Sequence, residues 1–159
     1  MNKSVIIGVV TFLLGALVSV GIIYKMAPGM MIHESESNYD FETSVARFES
    51  AVEEHGWKLP HVHDLQKTMD KHGKDVQAVK VFELCHPDHA AKILEKDQER
   101  IVSSMMPCRV AIYEKSDGKV YISRMNSGLM AGTMGGIVAE VMSEAAGENE
   151  EILQSILKK

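Results

Sequence analysis

Residues 5–24 form an unbroken run of twenty uncharged, mostly apolar residues, and this run limits the possible organisation of the chain more than any other feature. As a helix rising about 1.5 Å per residue, it would span about 30 Å, the thickness of the hydrocarbon core of a bilayer. Bulky residues, Ile22 to Tyr24, stand where a signal peptidase needs small ones, which favours an uncleaved anchor over a cleaved signal peptide. The sequence therefore predicts a transmembrane anchor over residues 1–25 and a short linker over residues 26–29.

The part of the chain beyond the anchor is acidic. Without Lys3 and Lys25, 15 of the 17 basic residues remain against all 22 acidic residues, which gives a net charge of −7. Because nucleic acids and anionic lipid surfaces are bound by clustered positive charge, we expect no nucleic-acid partner. The short N-terminal tail and the acidic segment after the anchor favour a single-pass membrane protein whose domain is periplasmic or extracellular.

Short strand and helix patterns alternate along residues 30–146, which we expect to form one α+β domain. The strongest signals are a run rich in β-branched residues at 76–85 and a hairpin over 108–125 around an Asp-Gly turn. An amphipathic helix is predicted over residues 40–55 from its one-sided apolar spacing. A glycine is expected to separate the domain from a C-terminal helix over residues 147–159. Such a pattern is typical of a sheet backed by helices.

Several segments of this domain, taken in order, resemble the family called domain of unknown function 302. The segments are FELCHP at residues 82–87, MPCRVAIYE at 106–114, DGKVY at 117–121, MNSGLM at 125–130 and GGIVAEVM at 135–142. The resemblance covers about residues 30–145 and implies a TATA-binding-protein-like α+β fold, in which helices back an antiparallel sheet of four or five strands. It implies no activity, since the family has no settled one.

Two cysteines are placed where predicted strands end and begin. Cys85 closes one strand and Cys108 opens another, with a helix between them. Three interpretations remain open: two buried thiols, a structural disulfide, or a functional pair for redox chemistry or metal binding. A disulfide requires the two strands to be antiparallel neighbours, because the Cα atoms must lie within about 7 Å.

Histidines next to the first cysteine suggest a metal site. Cys85, His86 and His89 offer three zinc or copper ligands within five residues. His61 and His63 could supply a second cluster, since alternate residues of a strand share a face. The competing interpretation is that His86 merely precedes the helix that Pro87 begins.

Arginines, methionines and glycines give weaker signals. Arg109 and Arg124 are expected opposite each other on the hairpin strands, where they would bind an anion or pair with nearby glutamates. The eleven methionines fit either a copper(I) site or a helical core stripe. Three glycines spaced by four residues would leave a flat helix side for the sheet or a second subunit. They are Gly128, Gly132 and Gly136.

No catalytic motif of the GxSxG or HExxH kind occurs, so no catalytic residue is identified. The sequence predicts a membrane-anchored accessory or ligand-binding module that forms homo-oligomers and has a membrane-protein partner within reach. The candidate ligand-binding residues are Cys85, His86, Cys108, Arg109 and Arg124. The alternative is a metal- or thiol-handling protein that uses Cys85, His86, His89 and Cys108.

Overall fold

The computed structural model describes residues 2–158, apart from the side chains of Val5, Ile6 and Pro28. It divides into two compact units, residues 1–31 and residues 32–159. The predicted C-terminal helix ends at Lys159, which lies outside the described residues.

The first unit is a single helix, α1 (Lys3–Met31). Within it Ile7–Ala27 is the one stretch of the described residues that is long and apolar enough to cross a membrane, and none of it is buried. Helices of this kind occur in membrane anchors and in signal sequences alike. The helix also runs through residues 26–29, where the sequence predicted a linker.

The second unit is built on a five-stranded sheet in which every neighbouring pair is antiparallel. The strand order is β1-β5-β4-β3-β2. The strands are β1 (Ile32–Glu36), β2 (Lys58–Asp64), β3 (Val79–Cys85), β4 (Cys108–Glu114) and β5 (Val120–Met125). The two edge strands are β1 and β2, and Pro60 on β2 coincides with an irregularity in its pairing with β3. A proline has no N–H for the ladder, and sheets tolerate it at such an edge.

Helices connect and cover these strands. They are α2 (Phe41–Glu54), α3 (Leu65–Asp70), α4 (Pro87–Leu94), a 3-10 helix (Glu99–Met105), α5 (Ser127–Met134) and α6 (Gly136–Leu153). The expected α+β fold, an antiparallel sheet backed by helices, is confirmed.

Local chemistry sets the ends of α2. The side chain of Asp40 accepts a hydrogen bond from the Thr43 backbone N–H at 2.8 Å, which satisfies a donor that the first turn leaves unpaired. Beyond the other end, Gly56 takes a positive φ of 79°, a conformation that costs glycine little. The helix buries the apolar side predicted from its spacing, including Phe48, whose ring meets Phe82 of β3 edge-to-face at 5.1 Å.

Two apolar clusters occupy the helix-covered side of the sheet. The main core joins α2, the end of α6 and the inward-facing residues of β3, β4 and β5. A smaller cluster joins Ile93 of α4, Val102 of the 3-10 helix, and Val138 and Val141 of α6. Residues of both clusters line a cavity that lies between them.

The predicted break at Gly147 is wrong. Helix α6 runs without interruption from Gly136 to Leu153, so Gly147 lies inside it. The real break comes earlier, between α5 and α6, where Gly135 and Gly136 have φ values of 102° and 56°. A glycine in a helix costs only about 1 kcal/mol against alanine, which the packing of a long helix outweighs, whereas two successive positive φ values end a helix.

Candidate ligand-binding site

A cavity of about 660 Å³ lies between the sheet and the helices α4, α5 and α6. Its volume falls in the range of about 300–1,000 Å³ that is usual for small-molecule sites. The ends of β3, β4 and β5 form its floor, and residues 127–130 of α5 and 141–150 of α6 contribute to its walls. Its apolar lining includes Leu84, Ile93, Val102, Val110, Val141 and five methionines.

One end of the cavity carries a hydrogen-bonded cluster of Trp57, His89 and Glu148. The Trp57 Nε1–H donates to Glu148 Oε2 at 2.8 Å, and His89 Nε2 lies 3.0 Å from Glu148 Oε1. Since a carboxylate only accepts, His89 donates from Nε2, and its Nδ1 lies 3.6 Å from Glu144 Oε2. The cluster ties the start of β2 and the helix α4 to α6.

His86 lies next to this cluster and also lines the cavity. It precedes Pro87, which takes the first helical position of α4, and its own side chain makes no capping hydrogen bond. His89 follows one helical turn later, and the two imidazole centroids are 4.6 Å apart. The His86 ring also meets Trp57 edge-on at 5.5 Å. We call Trp57, His86 and His89, which line the cavity, together with Glu148, which does not, the aromatic end of the cavity.

Opposing effects act on the Glu148 carboxyl. Partial burial raises its pKa, but the hydrogen bonds from Trp57 and His89 outweigh burial and hold the pKa below its usual value. Glu148 is therefore ionised at neutral pH and accepts the hydrogen bonds from Trp57 and His89.

Three buried polar atoms near the aromatic end lack a hydrogen-bond partner among the described residues. They are His86 Nδ1, His89 Nδ1 and Asn149 Oδ1, and Asn149 as a whole is only 8% exposed. An unsatisfied buried polar atom costs about 1–3 kcal/mol, and such atoms are rare in native structures. Because these atoms lie beside the cavity, they are available to hydrogen-bond a molecule that enters it.

Both cysteines line the cavity, and both are free thiols. Their strands are antiparallel neighbours, with Leu84 opposite Cys108, which is the strand arrangement that a disulfide requires. The two thiols are nevertheless not joined by a disulfide in this structure. Burial raises the pKa of the Cys108 thiol, although a hydrogen bond with Asn149 partly opposes this. A neutral thiol is a poor nucleophile and a poor metal ligand, so Cys108 acts here as a small polarisable side chain.

The two arginines are not opposite each other, because β4 and β5 pair in a register that places Val110 opposite Arg124. Arg124 therefore points to the helix side, where it is 10% exposed and binds Glu150 of α6 through two hydrogen bonds of 2.8 and 2.7 Å. Arg109 lies on the other face and pairs with Glu83 at 3.3 Å. The expected pairing of Arg109 with a strand glutamate is thus present, and both arginines already have an opposite charge.

His61 and His63 lie on the exposed edge strand β2 and do not line the cavity. Their rings are 6.1 Å apart, and His63 bonds Glu83 at 3.1 Å, which lowers the pKa of that carboxyl. Within residues 2–158, no three His, Cys, Asp or Glu side chains converge as metal ligands. The structure therefore brings Cys85, His86 and His89 to one cavity without the second histidine pair.

The glycines are placed differently from the prediction, and the methionines differ from it only in part. Five methionines line the cavity, of which Met106 and Met142 also pack against the smaller apolar cluster, whereas the main core contains none. The glycine row is divided by the break after α5, and a Cβ built on Gly132 or Gly136 meets nothing within 4 Å. No backbone within the described residues approaches the flat side that the spacing predicted.

Sequence reasoning missed Trp57, Glu148 and Asn149. Trp57 is 91 residues from its hydrogen-bond partner Glu148, and no local pattern reports a contact over that distance. The one available signal was that Trp57 is the single tryptophan of the chain, a residue that is rarely placed without a packing role.

Comparison with known proteins supports the family resemblance. Residues 33–159 match the model of the family described as domain of unknown function DUF302. A crystal structure of an uncharacterized conserved DUF302 protein from Bacillus stearothermophilus superposes with a TM-score of 0.69 and 17% sequence identity, covering 79% of this chain and 98% of that chain. At this identity the likeness concerns the fold alone, and no curated protein matches the chain. Because the family model covers most of the sequence, the chain belongs to the DUF302 family.

Proposed function

We propose that the domain binds a small, largely apolar molecule in the cavity between its sheet and helices. The observation that carries this proposal is a partly open cavity of about 660 Å³ with mostly apolar walls and a few polar groups at one end. Small-molecule sites generally combine these features. All five ligand-binding candidates from the sequence line this cavity.

The same proposal includes a membrane tether. Ile7–Ala27 has the length and hydropathy of a spanning helix, and the balance of charge around it favours a domain outside the cytoplasm. A tether would raise the effective concentration of the domain near a membrane-protein partner or a membrane-dissolved ligand. Carbonate washing of native membranes tests this part, since release of the chain into the wash would contradict a spanning helix.

Self-association is a further part of the proposal. The edge strands β1 and β2 have outer backbone groups that a second copy could meet, although the Lys158 N–H already donates to the Glu36 carbonyl of β1. Sedimentation of the full chain in detergent measures the number of copies, and a monomer at every concentration would contradict this part.

A second candidate is thiol chemistry at Cys85 and Cys108. The observation that favours it is that both free thiols line one cavity on neighbouring strands. The raised pKa of Cys108 weighs against it, because thiol exchange and metal binding need a thiolate. If alkylation of the free thiols is as slow as in an unreactive buried control thiol, this candidate is lost.

The experiment for ligand binding uses residues 32–159, which contain the whole sheet and both apolar clusters. The Bacillus chain consists almost entirely of this fold, so the fold stands without a preceding helix. Trp57 lines the cavity and is the single tryptophan, so its fluorescence reports occupancy. The probes are two neutral bromine-containing quenchers, 11-bromoundecanol and 6-bromo-2-naphthol.

We expect saturable quenching by at least one probe. The variant Ala90→Leu fills the cavity from α4 and should weaken binding about tenfold, a change of about 1.4 kcal/mol. Its control is Ala91→Leu, an equally half-buried neighbour that does not line the cavity. Quenching that stays linear with both probes, or equal affinity in both variants, would contradict a binding cavity.

A further inference from the structure

The sulfur atoms of the domain are concentrated around the cavity. Of the seven methionines beyond Met31, five line it, and the two cysteines line it as well. The main core, by contrast, is built from aliphatic and aromatic residues without methionine. Two of these methionines, Met106 and Met142, also pack against the smaller apolar cluster beside the cavity. The methionines are Met105, Met106, Met125, Met130 and Met142.

Sulfur favours particular neighbours. A thioether is polarisable and makes favourable contacts with the edges and faces of aromatic rings, and its unbranched chain adapts to the shape of a flat molecule. At the aromatic end, Trp57 and His86 add ring surfaces to the lining. Offset or edge-on packing against these rings is again a contact that an aromatic molecule makes better than an aliphatic one.

The charges of the lining argue for an uncharged ligand. Among the described residues that line the cavity, the permanently charged side chains are Arg109, Arg124 and Glu150, and each is in an ion pair. A charged molecule entering this space would lose its hydration without meeting an unpaired opposite charge. The unpartnered His86 Nδ1 and Asn149 Oδ1 offer hydrogen bonds to a neutral polar group instead.

We infer that the cavity takes an uncharged aromatic molecule that carries a hydroxyl or carbonyl group for the aromatic end. This inference rests on the proposed function, because it names the chemical class of the molecule that the cavity binds. The cavity volume of about 660 Å³ favours a molecule over a lone soft metal ion, since an ion occupies only the point on which its few ligands converge.

Three compounds of the same carbon skeleton separate the possibilities in calorimetric titrations of residues 32–159. They are 2-naphthol, the saturated decahydro-2-naphthol and the anionic 2-naphthoate. We expect 2-naphthol to bind about tenfold or more tightly than either of the other two. Equal binding of the saturated alcohol would overturn the aromatic assignment while leaving the proposed binding function intact. Tighter binding of 2-naphthoate would overturn the assignment of an uncharged ligand, and binding of none of the three, together with linear quenching by both bromine probes, would remove the proposed function too.

A pair of variants tests the role of sulfur directly. Met130→Leu and Met142→Leu conserve volume but remove a lining thioether, so they should weaken 2-naphthol binding about two- to tenfold and leave the binding of the saturated alcohol unchanged. The control is Met134→Leu on α5, an exposed methionine that does not line the cavity. Equal losses for both ligands would mean that shape alone matters. Stoichiometric binding of copper(I) under reductant that excludes 2-naphthol would assign the sulfur atoms to a metal, and either result would overturn the inference.

Discussion

At the scale of single residues, the network around Glu148 is the feature that joins folding to the site. One carboxylate accepts from Trp57 at 2.8 Å and from His89 at 3.0 Å, so it fixes two of the side chains that line the cavity. Hydrogen bonds to a charged acceptor are stronger than neutral ones. The site is therefore held in place by a residue that does not itself line the cavity.

Replacing Glu148 with Gln should make stability less dependent on pH. The depressed pKa of this carboxyl means that its contribution is fully present above the ordinary value of 4.5 and is lost as pH falls through the lower value in the folded state. Because the side chain is partly exposed, we expect a loss of only about 1 kcal/mol at pH 7. Urea unfolding of both proteins from pH 7 to pH 3 measures the difference, which should shrink below pH 4.5.

The control for this variant is Glu151→Gln, an exposed residue of the same helix. It should change the free energy of unfolding by no more than a few tenths of a kcal/mol at any pH. A Glu148→Gln difference that stayed constant down to pH 3 would show that the carboxylate charge is not what stabilises the network.

At the scale of helices and strands, local patterns predicted the elements well and their contacts poorly. The apolar spacing of α2, the β-branched run of β3 and the Asp117-Gly118 hairpin are all signals within a few residues, and the structure confirms them. The register of β4 and β5 separated the two arginines, because a shift of one residue moves a side chain to the other face of the sheet. Helix α6 continued through Gly147, because its packing against distant segments outweighs the cost of one glycine. The cavity itself depends on contacts of this distant kind.

The course of α6 can be tested at Gly147. A Cβ built there meets nothing within 4 Å, so Gly147→Ala should stabilise the domain by about 0.5–1 kcal/mol through better helix propensity.

Gly56 offers the opposite case, because its φ of 79° disfavours a side chain even where space is open. Gly56→Ala should destabilise by about 1–2 kcal/mol. Thermal or urea unfolding measures both changes, and destabilisation by Gly147→Ala would mean that the helix does not run through this residue as described.

At the scale of the whole molecule, a long apolar helix and a small acidic α+β domain occur in one chain. The chain belongs to the DUF302 family and has its fold, but a fold alone does not define an activity. Function has to be argued from the site, and the site here is a cavity whose lining is drawn from four helices and four strands. Cys85, His86, His89 and Cys108 were identifiable in the sequence because they lie close together or at strand ends. The lining contributed by α5 and α6 was not, since only the fold brings it there.

The central claim is that a small molecule enters this cavity, and the NMR signals of the methionine methyl groups test it most directly. In residues 32–159 labelled with ¹³C at the methionine methyl, addition of 2-naphthol should shift the signals of the five lining methionines in a saturable way. Met69 of α3 does not line the cavity, and its signal should not move. If the five lining signals stay in place at a concentration that saturates any other change, or if Met69 shifts as much as they do, the cavity is not the binding site.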